Sequence, residues 1–415
     1  MLFPEIKIEK NTINGAIVYK LYKKDAPLAI RFTFFAGSRF DEKPGVAHCL
    51  EHLFVASTSF FKSKDQIAKY LEQFGGNFSA TTGNDVLRVN IEISDKEDIE
   101  KALLLMKSFL DRRIFDNNVF ENERKSILSE FLEKKSNPSK FVWELRRKNS
   151  FAGTPLENSI IGTEQEVLNI TVDDVIKHHD KNITSGKLNI VIAGDFEENI
   201  VDNIKQNLPE IKIEKYLGLD NIFFPKMLPN KNRNKIIEKN IADGKQAYTV
   251  CSLAIFDKLS VKEKIALKIF NNIFGVGRGS VLLSNLRYKE SFVYSAFSSL
   301  NGGYDWSIFD IYFSSNYQDI NKCIEIIKQQ VIEIKNGKIS KEEFENEKNR
   351  IIKNLKRELQ TTNDLVNFCE QLFIFEENLS LKMYKDAFDD LKLEDFLIVI
   401  NKFVKEDQFN VAICR

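Results

Sequence analysis

The sequence predicts an α+β protein built from two similar domains, and three observations carry that expectation. The chain has 415 residues, and at roughly 100–200 residues per domain that length holds two or three. Its first half mixes strand and helix signatures. One stretch then recurs: "FENERKSILSEF" begins at Phe120 and "FENEKNRIIKNL" at Phe344. Each follows a helical segment with a D-I-x-K turn, at Asp98 and Asp319. The FENE elements are 224 residues apart and the turns 221, as one three-residue length change would produce. Matched order at a near-constant offset reads as duplication, giving two α+β domains of about 200 residues each.

The elements follow in chain order. "AIVYKL" and "LAIRFTFFAG" are rich in β-branched and aromatic residues and read as strands. "AGSRFDEKPG" is a loop ending at Pro44-Gly45, and "VAHCLEHLF" is a helix after it. Ser63 caps the next helix, "KDQIAKYLEQF", which Gly75-Gly76 ends. In "VLRVNIEI", Leu87, Val89, Ile91 and Ile93 alternate with Arg88, Asn90 and Glu92, the pattern of a half-buried strand. Helical patterns fill roughly residues 96–135, and "LNIVIAGDF" is a late buried strand. Residues 208 to about 232 hold three prolines and no sustained period, which marks a boundary. The expected division is a first domain at 1–215, a linker at 216–232 and a second domain at 233–415.

Sixty basic residues balance sixty acidic ones, so charge points to neither nucleic acid nor a membrane surface. No stretch approaches the roughly 18 apolar residues of a membrane span. The N-terminus shows no basic segment followed by an apolar run. Five cysteines, an odd number without a CxxC spacing, fit a reducing compartment. A cytoplasmic protein is expected.

Two of only four histidines lie within "GVAHCLEHLF". On a helix, residues four apart stand one above the other, so His48 and His52 can present ring nitrogens to one zinc ion. Glu51 projects from nearly the same face. Adjacent to His52, it is better placed to reach a water on the ion than to bind the ion itself. Two anchors and a proton acceptor are what metal-assisted hydrolysis requires. Cys49 points about 100° away from His48 and reads as a buried small apolar residue. A catalytic zinc needs a third protein ligand and leaves the fourth position to water. His178 and His179 are candidates, but adjacent histidines diverge and "IKHHDKN" reads as a solvated helix end. A carboxylate is the better choice. Glu123 and Glu130 are seven apart and share a helical face; one could bind the metal while the other supports a ligand or the water from behind. In the second copy, position 130 corresponds to Asn354, and that half has no histidine. One copy holds the reactive groups and the other does not.

"HCLEH" is the inverted zinc motif, and the chain resembles the pitrilysin family of metallopeptidases. "AGSRFDEKPGVAHCLEH", "SKDQIAKYLEQFGGNFSATT", "FENERKSILSE" and "LSNLRYKESFVYS" resemble, in order, that family's lead-in and motif helix, its next helix with double glycine and strand, its glutamate helix and its C-terminal Arg…Tyr element. The resemblance implies two homologous domains, each a mostly antiparallel sheet packed on helices, forming half of a clam-shell chamber. It implies one Zn2+ per chain on His48, His52 and Glu130, with Glu51 as general base and Glu123 supporting a ligand from behind. Arg287 and Tyr294 would contact substrate from the second domain. An extended peptide would add a strand at Ser79, Ala80, Thr81 and Thr82. There the family usually shows Asn-Ala-aromatic-Thr, so Ser79 reaches less far and Thr81 loses an aromatic wall. A family Gly-Thr pair after the motif appears as Ser57-Thr58, and the glycine loop before Arg287 is altered to "FGVGRGSVLL". The implied activity is that of a zinc endopeptidase on peptides or short unfolded chains. The implied partner is a second copy or a related chain; a non-catalytic subunit is the alternative.

Overall fold

The computed structural model describes residues 5–110, 116–184, 187–208, 222, 224–227, 235–241, 245–376 and 378–415. Eleven strands among them form two sheets. The first contains β1 (Glu9–Ile13), β2 (Ala16–Tyr22), β3 (Leu28–Phe34), β4 (Asn77–Thr82), β5 (Leu87–Ile93) and β6 (Leu188–Gly194), in the order β1-β2-β6-β3-β5-β4. The second contains β7 (Ile236–Lys239), β8 (Gln246–Ile255), β9 (Val293–Gly302), β10 (Ser307–Asn316) and β11 (Asn410–Cys414), in the order β7-β11-β8-β10-β9. Without β1 the two plans coincide. Each has one parallel pair, β2 with β6 and β7 with β11, and the other pairings are antiparallel. The late strands β6 and β11 therefore insert between strands laid down earlier.

Both faces of each sheet are covered, which explains why β3 and β6 are buried at every residue. On one face of the first sheet lie the helices Val46–Ala56, Ile99–Leu110 and Asn117–Ser136, sharing a core with Phe32, Val89 and Ile190. β5 buries alternate residues, as its sequence pattern requires. The second sheet packs in the same way against Val261–Gly275, Ile320–Lys335 and Lys341–Glu358.

The opposite faces are covered by an exchange. Helix Pro138–Ser150 leaves the first half and packs Val142 and Leu145 on Val250, Tyr312 and Ala412 of the second sheet. Helix Thr362–Phe373 leaves the second half and packs Leu365, Val366 and Cys369 on Ile17, Tyr19 and Val191 of the first. Each helix carries one buried charge to its host sheet, at positions again 224 residues apart. Arg146 donates from Nε to Asp310 Oδ1 at 2.8 Å. Glu370 accepts from Arg31 Nη1 at 2.8 Å, Thr33 Oγ1 at 2.7 Å and Arg88 Nε at 2.8 Å. Removing one member of such a pair leaves an uncompensated charge out of water.

Most of residues 216–232, expected as a linker, lies outside the described residues. The described part is packed: Phe224 stacks on Tyr304 with ring centroids 4.2 Å apart and meets Phe35 edge-on.

Candidate metal centre

The helix Val46–Ala56 is started by Asp41, whose carboxylate accepts from the backbone N–H groups of Gly45 and Ala47, both at 3.0 Å. Gly45 sits at φ 93°, and a Cβ there would stand 2.5 Å from the Ile161 carbonyl oxygen; only glycine fits. Cys49, Leu50, Leu53 and Phe54 then face the core. Burial pushes the Cys49 thiol up to about 12, so it stays protonated. The opposite face presents His48, Glu51 and His52.

The glutamate helix Asn117–Ser136, capped by Asp116, crosses beside it. Glu130 Oε2 lies 3.6 Å from His48 Nε2 and 3.7 Å from His52 Nε2. Ligand atoms of these three residues all lie within 4.8 Å of one another. For a tetrahedral ion with ligands at about 2.0–2.1 Å, ligand atoms stand about 3.3 Å apart. The two histidine–glutamate separations are a few tenths of an ångström longer than that, and two imidazoles with one carboxylate are a known catalytic zinc donor set, so the trio fits zinc once its ligand atoms draw together. Glu123 sits behind His52, its Oε2 3.2 Å from His52 Nδ1. That contact orients the ring in the way carboxylates support metal-binding histidines. Lys64, whose part the sequence reading missed, holds Glu123 from the far side at 2.8 Å, and Lys134 approaches Glu130 at 3.2 Å.

Burial, reinforced by His52, holds His48 neutral, at about 4. Burial also opposes charge on His52, but its contacts with Glu123 and Glu130 outweigh this and raise it to about 9. His52 in turn holds Glu130 down to about 2, against burial. Glu123 is lowered as well: burial works the other way, and His52 and Lys64 prevail. Glu51 is raised, by burial above all, against hydrogen bonding from Thr82.

Thr82 also donates to the Ala47 carbonyl at 3.5 Å, so the end of β4 is tied to the motif helix. Among the described residues β4 pairs only with β5 and forms the outer edge of its sheet. Its residues Ser79, Ala80, Thr81 and Thr82 alternate between exposed and half-buried, and Ser79 Oγ accepts from Asn90 Nδ2 at 3.3 Å. Arg287 and Tyr294 meet each other, with the guanidinium carbon 5.7 Å from the ring centroid. Tyr294 is 76 % exposed. Among the described residues, neither makes a hydrogen bond or ion pair with His48, Glu51, His52 or Glu130.

The reading of "IKHHDKN" as a solvated helix end is corrected. His178 and His179 are buried, and their Nε2 atoms meet the carbonyls of Ala36 and Phe109, both at 3.0 Å. Nonlocal packing of the helix Val172–His179 under the motif helix decides this, and neither ring joins the metal group.

A family described as Insulinase (Peptidase family M16) matches residues 17–164, and one described as Peptidase M16 inactive domain matches residues 169–351. The chain belongs to the pitrilysin family. Its relatives in the family include an uncharacterized zinc protease of Rickettsia felis, 24 % identical over 79 % of this chain and 77 % of that protein. A non-peptidase homolog, YmxG, of Helicobacter pylori is 24 % identical over 94 % of this chain and 93 % of its own. The mitochondrial-processing peptidase subunit beta of Dictyostelium discoideum is 26 % identical over 42 % of this chain and 37 % of its own. Among solved structures, a protease from Helicobacter pylori superimposes with a TM-score of 0.87 at 22 % identity, covering 99 % of this chain and all of that one. The pitrilysin fold thus spans both halves.

Proposed function

We propose that this chain is a zinc-dependent endopeptidase acting on extended peptides or short unfolded polypeptides, leader or presequence peptides among them. The observation that carries the reading is the convergence of His48, His52 and Glu130 on one point, with a raised-pKa carboxylate, Glu51, on the same helix face. His48, His52 and Glu130 would hold one zinc, which when bound acidifies water and polarises a carbonyl. Glu123 keeps the His52 ring in register. Glu51 accepts the proton lost by the attacking water and returns it to the leaving amine. The open edge of β4 offers backbone donors and acceptors to a peptide strand, so that recognition is largely independent of sequence. Arg287 and Tyr294 serve as substrate contacts from the second half.

We further read residues 1–215 and 233–415 as two domains joined at 216–232, forming half of a clam-shell chamber completed by a second copy or a related chain. Similarity to a mitochondrial-processing peptidase beta subunit supports such pairing. Five buried free cysteines support a cytoplasmic setting. Among the described residues no helix is long and apolar enough to cross a membrane.

The second reading is a non-catalytic partner subunit, favoured by the similarity to a non-peptidase homolog along 94 % of this chain. Digesting a peptide library with zinc-loaded wild type and with Glu51→Gln, metal content measured on both, separates the two. Cleavage by wild type alone, at equal zinc, supports the peptidase. Equal zinc with no cleavage by either, with and without a partner chain, supports the subunit.

A further inference from the structure

The open edge of β4 leads into a cleft of about 320 Å³ at the seam between the two sheets. The turn 83–86 after β4 forms one wall, the end of β9 and start of β10 another, and the exchanged helix Pro138–Ser150 a third. Three arginines line it: Arg88, Arg146 and Arg147. Thr81 is the cross-strand partner of Arg88, and Ser79 that of Asn90. Partners in register project on the same face, so alternate side chains of a strand added at β4 share the face that holds Arg88.

The carboxylates of the seam are engaged, and what remains is hydrogen-bond donors. Asp85 lines the cleft, but its Oδ1 meets Arg39 and its Oδ2 accepts from Tyr304 N and Trp306 Nε1, both at 3.0 Å. Asp305 is held by Arg39. Asp310 takes Arg146 and Ser252. Glu370 is shared by two cations, Arg31 and Arg88, and occupies only Nε of Arg88. Both Nη groups of Arg88 have no acceptor among the described residues. Arg147 gives Nη1 to Asn84 Oδ1 at 3.0 Å, while its Nε is buried without a hydrogen-bond partner, with the Glu144 carboxylate 3.9 Å away. Nη1 also reaches the Leu156 carbonyl at 3.4 Å, so the unmet donor is the single Nε–H; a buried N–H lacking an acceptor is costly unless something supplies one, and the planar fork of arginine matches a carboxylate.

We infer that this cleft binds a carboxylate of the substrate peptide, so that the enzyme prefers peptides with an acidic group on the part of the bound strand that runs past Thr82. The carboxylate is that of an aspartate or glutamate side chain or of the peptide's own C-terminus. The inference rests on the peptidase reading only for the path of the peptide along β4.

The test is a positional set of fluorescent peptides with Glu or Gln at each site and a free or amidated C-terminus. Cleavage is measured with the zinc-loaded wild type, and binding by polarisation with zinc-loaded Glu51→Gln. A single Glu→Gln change, or amidation for a terminal carboxylate, is expected to weaken binding and kcat/KM about tenfold, a difference of about 1.4 kcal/mol. Adding Arg88→Gln, which leaves Glu370 with Arg31 and Thr33, abolishes the discrimination, and Arg88→Lys restores part of it. Equal handling of acidic and neutral peptides by the wild type overturns the cleft assignment while leaving the peptidase reading intact. So does full discrimination retained by a folded Arg88→Gln protein. Arginine-dependent binding without any cleavage leaves the cleft assigned and removes the peptidase.

Discussion

The two halves share a strand plan, a helix order and even a repeated FENE stretch, yet they differ where chemistry would occur. In the first half, the glutamate helix brings Glu123 and Glu130 against two histidines. In the second, Glu347 occupies the place of Glu123 but binds Arg350 Nε at 2.7 Å, and Asn354 stands for Glu130. The arginine also reaches the carbonyls of Asn272 and Val276. There a cation of the same helix holds the carboxylate, whereas in the first half Glu123 is shared between Lys64 and an imidazole. The comparison teaches that the fold does not need the metal group: the same sheet order forms without it, around a core of comparable make-up.

The largest effect that would sharpen this contrast is chemical. Glu51→Gln is expected to keep one zinc per chain and lower kcat by about a hundredfold or more, in line with removing a general base. Peptide turnover with parallel metal analysis measures it, and an unchanged kcat would remove Glu51 from the mechanism.

Next come the exchanged helices, whose buried pairs have opposite polarity. Asp310→Asn leaves Arg146 without its carboxylate and should lower unfolding free energy by about 3–5 kcal/mol. Glu370→Gln strands Arg31 and should cost a similar amount, less whatever solvent recovers at the partly exposed Arg88. Urea titration of both variants would show whether the two seams are energetically equivalent. A loss below about 1 kcal/mol in either would mean that its helix is held by apolar packing alone.

A smaller, local effect follows from metal removal. A ligand at a hundredfold its Kd stabilises the fold by about 2.7 kcal/mol. Chelation should therefore speed hydrogen exchange in helices Val46–Ala56 and Asn117–Ser136 and leave Val261–Gly275 and Lys341–Glu358 unchanged. Equal loosening of both halves would mean that the metal centre is not confined to one copy. Smallest is Arg88→Gln, expected to shift stability by less than about 1 kcal/mol because Arg88 is partly exposed and Glu370 keeps Arg31.

Much of the fold was legible because its signals are local. The Ser63 cap, which accepts from Gln66 N, was readable from a few residues. So were the alternation of β5 and the four-residue spacing of His48 and His52. The repeat at Phe120 and Phe344 foretold two similar sheets, and the sheet orders coincide. The part played by Lys64 was not legible, since one lysine among many carries no pattern. Nor was the burial of His178 and His179, whose polar neighbours in sequence resemble a surface.

The sequence by itself determined which segments are helices and strands and which helix face bears the two histidines, because backbone periodicity and capping depend on near neighbours. Only the tertiary structure decided that Glu130 meets both imidazoles while Glu123 stands behind one. It alone decided that two helices change places between halves, and that three arginines line one cleft. Those outcomes depend on contacts between segments tens to hundreds of residues apart, where packing of whole surfaces, rather than the spacing of neighbours, selects the partner.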